Sequence, residues 1–188
     1  MQDIIKILEE TGVLMQGHFL LSSGRHSNRY LQCARVFQHP RYAGEICRRL
    51  AEKFAETKPD ICIGPALGGV IIAYETARAL GARALFAERD QDGVMTLRRG
   101  FSITPGEKVL ILEDVVTTGG SVWEVMEVVR SHKGEICGIG CLVDRSGGKA
   151  DFGVPFRALL QLDIASYDPA DCPLCKKGVP AVKPGSRK

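Results

Sequence analysis

Strand-like and helix-like segments alternate along this chain of 188 residues. That alternation predicts an α/β fold: an open, mainly parallel sheet flanked by helices. Three observations carry the expectation. Short apolar runs such as "ICIGPA" (61–66) and "KVLILED" (108–114) have the length and composition of buried strands. Amphipathic stretches of helical period separate them. Glycines stand where the helices should stop.

Taken in order, "DIIKILEETG" (3–12) reads as a short amphipathic helix closed by Gly12. From Pro40 to Thr57, Ala43, Ile46, Cys47, Leu50, Ala51 and Phe54 recur at helical spacing. After the strand at 61–66, "GVIIAYETARALG" (69–81) is a helix with Gly81 as its stop signal. "ARALFAE" (82–88) is strand-like, and 108–114 is the clearest strand of the chain. "SVWEVMEVVRSHKG" (121–134) returns to helix, with Val122, Val125, Met126 and Val129 as its core stripe and Trp123 at a partly covered surface position. "EICGIGCLVDR" (135–145) is the next strand, and the tail "VKPGSRK" looks loose. No internal repeat or low-complexity segment appears.

Composition bounds the function. Apolar content of 45% and charged content of 25% are those of an ordinary globular domain. A net charge of +3 without clustered basic residues gives nucleic acid little to hold, so none is expected as a partner. No run of about 18 apolar residues exists, so no membrane contact is expected. "MQDIIKILEE" lacks the pattern of a secretory signal, and a cytoplasmic location is expected. Seven cysteines then read as reduced thiols.

The chemistry concentrates at "VLILEDVVTTGGSV" (109–122), where an apolar strand runs into Glu113 and Asp114 and then into small hydroxyl residues and glycines. In a parallel sheet, ligands sit beyond the carboxyl ends of the strands. A Gly- and Thr-rich turn into a helix lets backbone N–H groups curl around an anion at the positive end of the helix dipole. Carboxylates just before it can accept hydrogen bonds from sugar hydroxyls. A phosphorylated sugar satisfies both halves.

The segment "VLILEDVVTTGGS" resembles the phosphoribosyl pyrophosphate (PRPP) signature of type I phosphoribosyltransferases. "HFLLSSGRHSNRYLQCARVFQHP" (18–40) resembles the N-terminal signature of the orotate branch, "GPALGGV" (64–70) its pyrophosphate loop, and Asp144-Arg145 its strand-end Asp-Arg. The resemblance implies one phosphoribosyltransferase domain over 1–188, with a core at about 40–150 and a small N-terminal hood of 1–38 plus 155–188. It implies PRPP contacts from Glu113, Asp114, Val115, Val116, Thr117, Thr118, Gly119, Gly120 and Ser121, and from Ala66, Leu67, Gly68, Gly69 and Arg89. It implies orotate contacts from Thr117, Arg145, Ser23, Gly24 and Arg25. Arg145 suits that role because a planar guanidinium pairs with a carboxylate or imide edge. Arg89 and Asp114 are the expected catalytic residues, Mg²⁺ the cofactor (held mainly by PRPP and water), and a homodimer the assembly. Transfer of the 5-phosphoribosyl group from PRPP to orotate is the implied reaction. A purine-type phosphoribosyltransferase and a non-catalytic regulator binding nucleotide and RNA are the alternatives; the Ser-Gly-Arg segment argues against the first and the low net charge against the second.

Two departures from the family pattern stand out. Ser22 and Gly68 occupy places where many orotate enzymes carry lysine. The segment "AERDQDGVMTLRRGFSITPG" (87–106) replaces the family's lysine- and histidine-bearing catalytic loop and offers Arg89, Arg98 and Arg99, with Gly93 and Gly106 suggesting a hairpin or lid. Arg89 is the first candidate to neutralise diphosphate, with action across a dimer interface left open. Cys172 and Cys175 have the spacing of half a zinc site or a redox pair. With no second CxxC nearby, and with His18, His26, His39 and His132 scattered, the motif reads as incidental and no protein-held metal is expected.

Overall fold

The computed structural model describes residues 2–21 and 23–184. In chain order the elements are α1 (Gln2–Glu10), β1 (Leu14–Leu20), β2 (His26–Leu31), α2 (Ala34–Phe37), α3 (Pro40–Glu52), β3 (Ile61–Pro65), α4 (Gly68–Leu80) and β4 (Arg83–Arg89). Then follow β5 (Met95–Thr96), β6 (Lys108–Val116), α5 (Gly120–Ser131), β7 (Glu135–Asp144), β8 (Phe156–Gln161), β9 (Ser166–Tyr167) and α6 (Pro173–Lys176). They divide into two compact units: one from the residues up to Val36 together with those from Asp163 onward, the other from Phe37–Leu162.

The larger unit carries a six-stranded sheet in the order β5-β4-β3-β6-β7-β8, parallel except where β5 returns antiparallel along β4. The α/β expectation is met, and each of the strands read at 61–66, 82–88, 108–114 and 135–145 lies within a residue or two of its observed bounds. Alternation within the central strands sorts the core. Ile61, Ile63, Val109, Ile111, Ile139 and Cys141 pack with the α5 stripe of Val122, Val125, Met126 and Val129. The intervening side chains Cys62, Leu110, Leu112 and Leu142 are equally buried, and α3 and α4 supply Ile46, Leu50, Ile72 and Ala73. Gly138 and Gly140 on β7 leave room for the Phe54 ring, which a Cβ at either would approach to 2.9 Å. Residues 156–161, read as part of the hood, instead form the edge strand of this sheet. Their burial pattern is too mixed for a strand signal to show in the sequence.

In the smaller unit, α1 buries Ile4, Ile7 and Leu8, the i, i+3, i+4 stripe of an amphipathic helix, and packs on β1. Strands β1 and β2 form an antiparallel hairpin from Leu14↔Leu31 to Leu20↔His26, and β9 adds to β2 through His26↔Tyr167. The register shifts between Gln16 and Phe19, so β1 lacks the clean alternation by which a strand is recognised. Residues 185–188 of the tail lie outside the described residues. One sequence expectation is overturned here: two of the "scattered" histidines, His18 and His26, come together with Cys172 and Cys175.

Candidate active site

Sheet order places the site. The chain leaves β3 through α4 to β4 on one side, and leaves β6 through α5 to β7 on the other, while β3 and β6 are neighbours. The carboxyl ends of β3 and β6 therefore flank a crevice at which the strand order reverses, the position where open α/β sheets bind ligands. The 64–70 and 113–121 segments both leave the sheet at this edge.

Glu113 and Asp114 are held there by their own backbone. The Asp114 N–H donates to Glu113 Oε1 (3.0 Å) and the Val115 N–H to Asp114 Oδ1 (2.8 Å). Neither carboxylate has an ion-pair partner among the described residues. Burial, reinforced by the adjacent Asp114 charge, pushes Glu113 from its ordinary 4.5 up to about 9. Burial also raises Asp114, while its contact with Glu113 and the Val115 N–H oppose that rise. The two carboxyl groups are coupled, and burial favours the protonated form of each. A ligand that brings hydroxyl donors or positive charge relieves this strain.

Beyond the carboxylates the backbone turns into α5. Gly119 caps the helix at φ +79°, a left-handed conformation that disfavours a side chain, and a Cβ there would lie 2.7 Å from the Phe152 ring. Helix α5 has no side-chain cap and no acid in its first turn, so its positive end faces the crevice uncompensated. Thr117, Thr118, Gly120 and Ser121 are exposed along it. Together with Glu113, Val115, Val116, Gly119, Arg89 and Glu124 they line a cavity of about 240 Å³. Its donors are those of an anion site.

The 64–70 loop leaves the neighbouring strand β3 beside the carboxylate pair. Cβ atoms at Gly64 and Gly69 would lie 2.4 Å from the Gly69 carbonyl oxygen and 2.7 Å from the Pro65 ring, so both glycines serve a tight backbone crossing. A Cβ at Gly68 would lie 2.9 Å from Asp114 Oδ1, which places this loop against the carboxylate pair. The Ala66–Leu67 peptide bond is cis, and Leu67 is almost wholly exposed.

Arg89 ends β4 and reaches this cavity, where Nη2 donates to Glu124 Oε2 (2.6 Å) and Nη1 to the Gly93 carbonyl (2.8 Å). The hairpin expected in 87–106 exists: Asp90 Oδ1 accepts from the Asp92 and Val94 N–H groups, and β5 pairs with β4. Its stem is anchored by buried Met95 and Ile103. Arg99 forks onto Glu88 (2.9 and 3.0 Å) and lies over Phe86, and Arg98 is exposed; among the three only Arg89 lines the cavity.

Arg145 follows β7, half-buried, with its N–H on the Val116 carbonyl (2.8 Å), so its backbone is tied to the start of the anion loop. Buried Asp144 accepts from the Ser146 N–H (2.7 Å) and shapes that turn. Ser23, Gly24 and Arg25 belong to the smaller unit, at the β1–β2 turn, where Arg25 donates to Ser166 Oγ (2.9 Å) and to the Ser166 carbonyl (2.8 Å). Ser22, standing at a family lysine position, lies outside the described residues. Two residues escaped the sequence reading. Glu124 orients Arg89 from the second turn of α5, and Phe152 covers Gly119 from a segment with no periodic signal.

A family model described as phosphoribosyl transferase domain matches residues 34–152. An orotate phosphoribosyltransferase of Pelotomaculum thermopropionicum is 61% identical over 186 residues, 99% of this chain and 97% of the relative. That of Thermotoga maritima is 58% identical over 184 residues, 98% of each chain. Among solved structures, orotate phosphoribosyltransferase from Aeropyrum pernix superposes with a TM-score of 0.72 at 26% identity, over 85% of this chain and 93% of that one. Similarity of this degree, running end to end, makes the chain a member of the orotate phosphoribosyltransferase family.

Proposed function

We propose that this chain transfers the 5-phosphoribosyl group of PRPP to orotate, forming orotidine 5′-phosphate and diphosphate for pyrimidine nucleotide synthesis. The observation that carries this reading is the pair of buried Glu113 and half-buried Asp114, set at the switch point before the uncapped N-terminus of α5. The 5′-phosphate sits on Thr117–Ser121, and the ribose hydroxyls donate to the carboxylates. Diphosphate lies along the 66–69 backbone. A ring nitrogen of orotate bonds to C1 as the C1–O bond breaks, and the bonding pair leaves with diphosphate while the ring N–H proton goes to solvent. The centre passes through an oxocarbenium-like state, as in other glycosyl transfers. Positioning and electrostatics supply most of the rate. Arg89 turns from Glu124 toward the departing diphosphate, and Arg145 and Thr117 recognise orotate.

Mg²⁺ belongs to this proposal. Outside the smaller unit, no group of three or more ligating side chains exists among the described residues, so Glu113 and Asp114 fit a cation held mainly through PRPP oxygens and water. Bound there, the ion would supply positive charge against the leaving diphosphate. A homodimer rests on the family resemblance, and a cytoplasmic location is proposed with it. Among the described residues no helix is long and apolar enough to cross a membrane.

The test is a parallel assay with PRPP, Mg²⁺ and each of orotate, uracil, adenine, guanine and hypoxanthine. Product with orotate alone is expected. Turnover of a purine base in preference to orotate, or of no base at all, overturns the proposal.

A further inference from the structure

We propose that His18, His26, Cys172 and Cys175 form a structural zinc site in the smaller unit. One ligand atom from each lies within 4.8 Å of all the others. His18 Nε2 and His26 Nδ1 are 2.8 Å apart, Cys172 Sγ is 3.4 Å from His18 Nε2, and Cys175 Sγ is 3.3 Å from His26 Nδ1 and 3.8 Å from His18 Nε2. Tetrahedral zinc with ordinary Zn–N and Zn–S bonds sets ligand–ligand edges of roughly 3.3–3.8 Å. The three sulfur–nitrogen distances given above already match. The His–His edge has to open by about half an ångström, a small ring rotation.

Local structure aims each donor. The two histidines stand on adjacent antiparallel strands, with ring centroids 4.7 Å apart. His18 Nδ1 lies 2.7 Å from the Val179 carbonyl, which can only accept, so Nδ1 carries the proton and Nε2 presents its lone pair to the cluster. That outer contact is the usual device for orienting a metal-bound imidazole. The cysteines sit on one tight turn: Cys172 precedes α6, the Lys176 N–H donates to the Cys172 carbonyl (3.1 Å), and the Gly178 N–H donates to the Cys175 carbonyl (2.9 Å). Both are free thiols.

Charge and chemistry select the ion. Two thiolates and two neutral imidazoles around a divalent cation sum to zero, which suits a centre whose His18, His26 and Cys172 are all buried. Sulfur and imidazole donors suit zinc rather than Mg²⁺ or Ca²⁺, and a full set of four leaves no open position for substrate. Binding replaces the two thiol protons with Zn–S bonds, releases both protons to solvent and changes no oxidation state. The gain is structural. The unit has only roughly 60 residues in two stretches of chain far apart in sequence, and a metal clip joining them offsets a small core.

The test uses the full chain and does not depend on turnover. Protein expressed with supplemented zinc and purified under reducing conditions is analysed for metal, then stripped with chelator and refilled with Co²⁺. About one zinc per chain is expected, with the visible bands of tetrahedral cobalt and a near-ultraviolet thiolate charge-transfer band at one equivalent. Cys175→Ser and His26→Gln should each lower bound zinc at least about tenfold. Should either variant fail to fold, the wild-type cobalt spectrum decides by itself. Wild-type protein with less than about a tenth of an equivalent of zinc and no such bands overturns the proposal, as does a Cys172–Cys175 disulfide or folded variants that keep their metal.

Discussion

The strand-end crevice and the His–Cys cluster both gather titratable side chains, most of them buried, yet they solve opposite problems. Glu113 and Asp114 are neighbours on one strand, held by their own backbone, with no cation among the described residues to balance them. Burial raises both pKa values, so the crevice stores unfavourable charge that a ligand can relieve. His18, His26, Cys172 and Cys175 come from three separate places in the chain, and the zinc proposed there would balance two thiolates. One arrangement is suited to binding and release; the other is suited to holding two stretches of chain together. Variants in the crevice should therefore change turnover far more than folding.

The largest effect on substrate binding should come from Arg145→Ala. Truncating a half-buried partner of an anion commonly costs about 2–5 kcal/mol. The orotate KM should rise far more than the PRPP KM in steady-state kinetics. Equal effects on the two substrates would mean that Arg145 does not recognise the base.

Arg89→Ala should follow, with turnover cut at least about tenfold, or roughly 1.4 kcal/mol. Its ion pair with Glu124 is about half exposed, so its loss should cost the fold no more than about 1 kcal/mol. Turnover and thermal melting measured side by side separate the two quantities. A variant that melts early with near-normal turnover would make Arg89 a structural residue of the hairpin.

The smallest effect is a pH dependence. Because burial raises the folded-state pKa of Glu113 from 4.5 to about 9, its protonated form is favoured in the folded protein. Stability from that proton is complete below about pH 4.5 and is lost as pH rises through about 9. Melting temperatures of the ligand-free protein should fall across this window, and Glu113→Gln should flatten the fall. Parallel curves for wild type and variant would show that Glu113 is not the group that titrates.

The same contrast explains what could be read from the sequence. The crevice chemistry is contiguous: the apolar run 109–112, the acids 113–114 and the small residues 117–121 lie in one stretch, so spacing alone placed them at a strand end before a helix. Helices α4 and α5 and the central strands were legible because their periods are regular and glycine marks a stop, as at Gly81 with φ +71°. The metal cluster was not legible. Cys172 and Cys175 show a spacing, but their partners lie some 150 residues away on a hairpin whose first strand has an irregular register. Strand β8 was missed for want of alternation, and Glu124 because an acid on a helix surface carries no sign of the arginine it meets across the sheet edge.

The central claim is that the strand-end carboxylates serve the substrate rather than the fold, and Asp114→Asn tests it most directly. The change keeps the shape of the side chain and the acceptor for the Val115 N–H while removing the negative charge. Orotidine 5′-phosphate formation and thermal melting should be measured on one preparation. The account expects turnover to fall by at least about a hundredfold, with a melting temperature equal to or above that of wild type. Wild-type turnover in a protein that melts normally would contradict it.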